Sequence, residues 1–182
     1  MAPIKRTCPP VAGAPQKVWT TQPGPQTALV QTDADEILLG GARGGGKSFG
    51  GILWLVKGNA EYPPEHPYCQ SSLNYSRYVG LVVRKHAGDS RDWLEAAKEV
   101  YEPIGGKLKG NPQYFEWKTG ARIYIDHLND ESAFNKYRGW NIQRILVEEL
   151  TEIPHLRWYL RLLGSLRARK EGERQPVRPQ IL

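Results

Sequence analysis

A glycine-rich segment that ends in a lysine and a serine carries the clearest chemistry in this sequence. Residues 41–48 fit the pattern G-x-x-x-x-G-K-[ST]. Glycines let the backbone turn so that its N–H groups point at phosphate oxygens, and a helix that follows directs its positive dipole end to the same anion. In such a loop Lys47 contacts the β- and γ-phosphates of a nucleotide, and the Ser48 hydroxyl binds Mg²⁺. The segment therefore predicts a phosphate-binding loop, and the alternative is a glycine-rich surface turn. The predicted phosphate-binding residues are Gly41, Ala42, Arg43, Gly44, Gly45, Gly46, Lys47 and Ser48.

Two adjacent carboxylates end an apolar segment further along the chain. Residues 145–147 are Ile-Leu-Val, and Glu148 and Glu149 follow them. In nucleotide hydrolases with a phosphate-binding loop, the first acid holds the Mg²⁺ shell and the second polarises the attacking water. The first acid is usually Asp, and the extra methylene of Glu148 moves its carboxylate by about 1.5 Å. Adjacent residues on a strand point to opposite faces, which disfavours a paired-carboxylate glycosidase site.

The elements that position these residues alternate between apolar segments and helical patterns. The pattern predicts strands over residues 36–39, 78–83, 142–147 and 177–182, and helices over residues 47–59, 90–101 and 154–166. Thr119-Gly120, between two further apolar segments over residues 113–117 and 121–125, predicts a β-hairpin. The alternation is typical of an α/β fold with a mainly parallel sheet, helices on both faces and an inserted β-hairpin.

Two local features qualify this pattern. Residues 1–25 hold six of the fourteen prolines and predict an extended arm ahead of a domain that occupies residues 26–182. Gly50 and Gly51 lie inside the first predicted helix, where each costs roughly 1 kcal/mol relative to Ala. Close packing of that helix against the sheet or a neighbour is the expected compensation.

Composition bounds the class of protein. A chain of 182 residues with 40% hydrophobic and 24% charged residues is typical of one soluble globular domain. The longest uninterrupted apolar segment, residues 52–56, is far short of the roughly 20 residues that span a bilayer, and no secretory signal is recognisable. Cys8 and Cys69 are far apart in the sequence, which predicts free thiols in a reducing compartment. The net charge of +6 favours polyanionic partners, although weakly.

These residues and motifs resemble the N-terminal ATPase domain of tailed-phage terminase large subunits, the motors that package DNA into proheads. The resemblance covers residues 23–182. It rests on Pro23-Gly-Pro-Gln26, the phosphate loop with its internal arginine, Val82-Val-Arg-Lys85, Tyr137-Arg-Gly139 and Val147-Glu-Glu-Leu-Thr151. The loop arginine together with an acidic pair followed by Leu-Thr is the most specific part.

The resemblance implies a fold, cofactors and roles for individual residues. It implies a P-loop NTPase fold of the RecA-like ASCE type that binds ATP and Mg²⁺. Gln26 would contact adenine, or it would be an ordinary surface amide. Arg43 would support the phosphates or sense hydrolysis, or it would balance nearby acids. Ser48 and Glu148 would hold the metal, and Lys47, Arg43 and Glu149 would be catalytic.

The resemblance also implies partners and a missing region. The family continues into a coupling loop and a nuclease domain, so we expect this chain to be a fragment whose residues 177–182 form the strand between the phosphate-loop strand and the acidic strand. Implied partners are double-stranded DNA, a portal protein, a small terminase subunit and further copies in a ring, all in the host cytoplasm and without a membrane. The alternatives are another P-loop DNA-dependent ATPase, helicase-like or recombinase-like, and a non-catalytic remnant that binds ATP without multiple turnovers.

Three basic features remain. Arg84 is either part of the motor machinery or a partner in a structural salt bridge. The histidines show no metal-ligand spacing. A basic stretch near the C-terminus predicts contact with the DNA phosphate backbone, and the alternative is a solvated helix face and loop. Its members are Arg157, Arg161, Arg167, Arg169, Lys170, Arg174 and Arg178.

Overall fold

The fold comprises four α-helices and six strands over the residues that a computed structural model of the chain describes. These are residues 19–41, 44–59, 65, 70–86, 88, 90–129, 131–167 and 177–182. The helices are α1 (Pro25–Gln31), α2 (Lys47–Val56), α3 (Ser90–Tyr101) and α4 (Leu156–Leu163). The strands are β1 (Val79–Arg84), β2 (Lys107–Lys109), β3 (Gln113–Glu116), β4 (Arg122–His127), β5 (Arg144–Val147) and β6 (Gln180–Ile181). Short 3-10 helices cover Ser72–Asn74, Glu131–Tyr137 and Leu150–Glu152.

The strands form one mixed sheet in the order β2-β3-β4-β1-β5-β6. Strand β1 pairs in parallel with β4 and with β5, and β5 pairs in parallel with β6. Strands β2, β3 and β4 pair antiparallel, and Gly120 adopts a φ of +94° in the turn between β3 and β4. The predicted hairpin is thus confirmed. Strand β2, only three residues long, was not predicted from the sequence.

Strand β6 lies between β5 and the segment that leads into the phosphate loop. On one side, the backbone N–H of Leu182 donates to Ile145 O over 2.8 Å. On the other side, Ile37 N–H donates to Ile181 O and Ile181 N–H donates to Asp35 O, both over 2.9 Å. The predicted central position of this strand is confirmed. The strand predicted over residues 36–39 is shorter, because only a single parallel bridge from Glu36 to Ile181 forms.

Helices cover both faces of the sheet, as the alternating pattern predicted. Val82 of β1 and Leu146 of β5 face the cluster that contains α2 and α3. Leu81 and Val83 of β1 face the opposite cluster, which contains Trp158 of α4. Each central strand therefore buries both of its faces, which explains why these strands are almost continuously apolar in sequence.

The two glycines in α2, Gly50 and Gly51, allow close packing of the helix against its neighbours. A Cβ at residue 51 would lie 2.9 Å from Leu146 Cδ2, and a Cβ at residue 50 would lie 3.3 Å from Gln26 Cγ. The helix thus contacts β5 on one side and α1 on the other, so the expected compensation by close packing is confirmed.

Helix α1 was not predicted, because it begins in the proline-rich region. Pro25 occupies the first turn, where its missing N–H costs nothing, and Gly24 precedes it with a φ of +99°. Leu29 is buried in the core at 2% exposure. A proline therefore starts a helix here, although proline-rich sequence generally disfavours one.

Arg144 connects the start of β5 to the C-terminal end of α2. Its guanidinium donates to the carbonyl oxygens of Trp54 and Lys57 and lies 5.2 Å from the Trp54 ring centroid. Burial lowers the pKa of Arg144, partly offset by the nearby Tyr78. Burial disfavours the charged form of Tyr78 as well, and raises its pKa to about 12. The hydroxyl therefore stays protonated and donates to Leu55 O over 2.6 Å. These side chains satisfy carbonyls that the helix end leaves without partners.

No helix in the described part of the chain has the length and apolar character that crossing a membrane requires.

Candidate functional site

The phosphate loop adopts a backbone that favours glycine. Gly41, Gly44 and Gly46 have φ angles of +138°, +77° and +69°. A Cβ at residue 41 or 44 would have no neighbouring atom within 4 Å, so the loop borders open space. Such turns direct backbone N–H groups to one side and form a concavity that suits an anion. Ala42 and Arg43 lie outside the described residues, so their predicted roles stay predictions.

Lys47 is the first residue of α2 and its side chain returns over the loop. Its ammonium donates to the carbonyl oxygen of Gly41 over 2.8 Å. The hydrogen bond places the positive charge beside Gly41, the first residue of the loop. An ammonium in this position, next to the positive end of a helix dipole, favours a bound polyphosphate.

The serine that follows the lysine meets the acidic strand end. Ser48 Oγ and Arg84 Nη2 each donate to Glu148 Oε2 over 3.1 Å. Glu148 is 7% exposed and directly follows β5, while Arg84 ends the neighbouring strand β1. Parallel strands bring their carboxyl ends to the same edge of the sheet, which explains how residues distant in sequence meet here. Arg84 thus forms a salt bridge with Glu148, and its role in the motor machinery stays a prediction.

Ser48 and Glu148 have the chemistry to hold Mg²⁺. Hydroxyl and carboxylate oxygens are hard ligands, and Mg²⁺ in nucleotide sites is typically bound through one or two carboxylates plus substrate phosphates. Within the described ranges, no group of three or more His, Cys, Asp and Glu side chains is arranged to bind a metal. One hydroxyl and one carboxylate match the small number of protein ligands that Mg²⁺ typically takes beside substrate phosphates.

Glu149 differs from its neighbour in both exposure and backbone. Its side chain is exposed, whereas that of Glu148 is buried. Glu149 has a φ of +55° and a ψ of +53°, and it precedes the short 3-10 helix Leu150–Glu152. The left-handed conformation costs a residue with a Cβ roughly 1–2 kcal/mol. Strain of this kind concentrates at functional sites, and here it accompanies the change from a buried carboxylate to an exposed one.

Gln26 of α1 contacts the end of the phosphate loop. Its side chain is 4% exposed, and its Nε2 donates to the carbonyl oxygen of Gly46 over 2.9 Å. Its Oε1 accepts from the backbone N–H of Gln22, also over 2.9 Å. The sequence selected Gln26 through the resemblance, and it did not predict the contact with the Gln22 backbone, which depends on no particular side chain. The structure thus places Gln26 at the site, in contact with the loop itself.

The described members of the basic stretch contact protein atoms. Arg178 pairs with Asp35 over 3.1 Å, and Arg161 lies 5.8 Å from the Phe134 ring centroid. Arg167 Nε donates to Gly164 O over 3.0 Å. Contact of these members with the DNA phosphate backbone stays a prediction. Arg169, Lys170 and Arg174 lie outside the described residues.

Fold and site together define the class of protein. A sheet whose central strands are parallel, a glycine-rich loop that leads into α2 and an acidic pair at the end of β5 define a RecA-like P-loop protein. A family model described as terminase large subunit, T4likevirus-type, N-terminal, matches residues 38–177. Because this match spans more than half of the sequence, the chain belongs to that family.

One solved structure supports the same fold. It is the large terminase from a thermophilic bacteriophage, which matches with a TM-score of 0.54 and 18% sequence identity. The match covers 79% of this chain and 36% of the phage terminase chain. A comparison with curated proteins found no match. The prediction of a terminase-like α/β fold from the sequence motifs is therefore confirmed.

Proposed function

We propose that this chain is the ATPase part of a motor that packages double-stranded DNA into a phage prohead, and that it binds Mg-ATP at residues 41–48. The observation that carries the proposal is the hydrogen bond of 3.1 Å between Ser48 Oγ and Glu148 Oε2. It joins the phosphate loop to the acidic strand, and this is where a P-loop enzyme holds the metal beside the phosphates. Family membership favours a packaging motor over a helicase-like or recombinase-like ATPase.

Different residues of the chain bind the phosphates and the Mg²⁺ ion of Mg-ATP. The N–H groups of the loop and the start of α2 bind phosphate oxygens, and the ammonium of Lys47 neutralises the β- and γ-phosphates. Ser48 and Glu148 hold Mg²⁺, which supplies neutralisation of the phosphate charge when it is bound. Arg84 fixes the Glu148 carboxylate through its salt bridge.

Glu149 is proposed to activate water. The water oxygen bonds to the γ-phosphorus, and one water proton passes to the Glu149 carboxylate. The bond between the γ-phosphorus and the β–γ bridging oxygen breaks, and ADP leaves. The exposed side chain of Glu149 suits this role, because a general base must reach solvent-derived water.

The remaining parts of the proposal concern assembly. Double-stranded DNA, a portal protein, a small terminase subunit and a ring of copies are partners proposed from the family, in the host cytoplasm. Arg43 is proposed to act on phosphates in its own site or in that of a neighbouring copy.

A titration of the chain with ATP, with and without Mg²⁺, tests the nucleotide site. We expect saturable, Mg²⁺-dependent binding, and we expect Lys47→Ala to weaken it about 100-fold, since charged hydrogen bonds worth about 1.5–3 kcal/mol are lost. Isothermal calorimetry measures both affinities.

Lys107→Ala is the matched control, because it removes the same charge from β2 at the opposite edge of the sheet. We expect its affinity for ATP to equal that of the wild type. Equal affinity of Lys47→Ala and the wild type would contradict the phosphate-loop assignment, and a folded wild type that binds no ATP would contradict the proposed function.

A further inference from the structure

The protein hydrogen-bonds both ends of the Gln26 amide. Two hydrogen bonds of 2.9 Å, from the Gln22 backbone N–H and to the Gly46 carbonyl, require opposite ends of the same amide. One orientation of the side chain satisfies both partners, and the flipped orientation satisfies neither. Since the residue is 4% exposed, almost none of its surface is available to a ligand.

The acceptor of Gln26 belongs to the peptide group where the loop becomes the helix. The carbonyl oxygen of Gly46 also accepts the N–H of Gly50 over 2.9 Å, the first hydrogen bond of α2. A peptide is planar and trans, so its C=O and the N–H of the next residue point in opposite directions. By holding the Gly46 carbonyl inward, Gln26 directs the N–H of Lys47 outward, toward the mouth of the loop.

The packing around Gln26 is equally specific. A Cβ at residue 46 would lie 2.4 Å from Gln26 Nε2, and one at residue 50 would lie 3.3 Å from Gln26 Cγ. Because both positions are glycine, the Gln26 side chain can approach the backbone of the loop and of α2 closely. Gln26, Gly46 and Gly50 therefore form one packed unit that joins α1 to the start of α2.

We infer that Gln26 is a positioning residue, which orients the last peptide of the phosphate loop for any polyphosphate and does not read the nucleobase. The inference rests on the proposed function for its ligand, and it replaces a contact with adenine by a contact with the loop. Its consequence is that the contribution of Gln26 to affinity is the same for every ligand that carries a triphosphate.

The substitution Gln26→Met tests this, because methionine has similar length, no charge and no hydrogen bonds to offer. With Mg²⁺ present, the affinities of wild type and variant are measured for ATP, GTP and inorganic tripolyphosphate. We expect an equal loss of about tenfold for all three, from one hydrogen bond to the loop. A loss for ATP with unchanged affinity for tripolyphosphate would overturn the inference and assign Gln26 to the base.

Gln22→Ala is the matched control. It shortens the neighbouring exposed amide but keeps the backbone N–H that donates to Gln26. We expect its affinity for all three ligands to equal that of the wild type. A loss for tripolyphosphate as large as in Gln26→Met would overturn the inference, because the bond between Gln26 and Gly46 is intact in this control.

Hydrogen exchange without any ligand gives a second readout. In Gln26→Met we expect the Gly50 amide to exchange about tenfold faster, while amides of α3 keep their rates, since one local hydrogen bond is lost. Faster exchange across α3 as well, or unchanged exchange at Gly50, would overturn the positioning role. This readout needs no bound nucleotide, so failure of the proposed function and failure of this inference remain distinguishable.

Discussion

Glu149→Gln is expected to leave the affinity for Mg-ATP unchanged and to lower the rate of ATP hydrolysis by about 100-fold or more. The amide has the size of the carboxylate but cannot accept a proton from water, and general base catalysis contributes typically 10²–10⁴-fold. Glu149 is exposed and makes no side-chain cap to the 3-10 helix that follows, so the substitution leaves the fold intact.

Single-turnover hydrolysis by a protein that contains this chain and hydrolyses ATP measures the effect. Glu152→Gln is the control, because it makes the same change in an exposed residue three positions further along. Its rate should equal that of the wild type. Hydrolysis that survived in Glu149→Gln would show that another group activates the water. Binding by the wild-type chain without sustained turnover would favour the non-catalytic alternative.

Arg144→Met is expected to lower the free energy of unfolding by about 3 kcal/mol, because it removes a buried cation and its hydrogen bonds to one buried and one partly buried carbonyl. Methionine fills much of the same volume, so the loss reports mainly on the polar contacts to Trp54 and Lys57. For a domain of this size the melting temperature should fall by roughly 10 °C.

Denaturant unfolding followed by circular dichroism checks this value. Arg122→Met is the control, since Arg122 lies in the same sheet and forms a partly exposed salt bridge with Glu116, with nitrogen and oxygen 2.9 Å apart. Exposed pairs are worth about 0–1 kcal/mol, so the control should lose less than a third as much. Equal losses of unfolding free energy in the two variants would mean that burial does not strengthen the contacts of Arg144.

The strongest sequence patterns predicted the fold well. Helix α3 was predicted over residues 90–101 and has those bounds, because its apolar residues repeat with helical period and no glycine or proline interrupts them. The position of β6 was predicted from the resemblance and is confirmed, although the strand covers only Gln180–Ile181 of the predicted residues 177–182. Helix α1 and strand β2 were not predicted. The first begins at a proline, and the second is three residues whose pairing with β3 depends on tertiary context.

For the candidate site, sequence reasoning identified residues but not their surroundings. The glycine pattern located the loop, and the apolar strand before Glu148 located the acidic edge, so the contact between Ser48 and Glu148 followed from topology. The burial of Gln26 and the left-handed backbone of Glu149 did not follow. Both depend on which residues pack beside them in the folded protein, and local sequence patterns do not show tertiary neighbours.

The position of β6 bears on how the site is assembled during synthesis. Residues 35–37, which lead into the phosphate loop, are hydrogen-bonded to Ile181, so they join the sheet only after residues near 181 have left the ribosome. Until then, the edge of β5 that later binds β6 is open, and an open edge is a template for wrong pairing. Pairing of such distant residues also slows folding, because loop closure must precede the stabilising contacts. The segment that leads into the phosphate loop therefore reaches its final pairing only after residues near 181 have been synthesised.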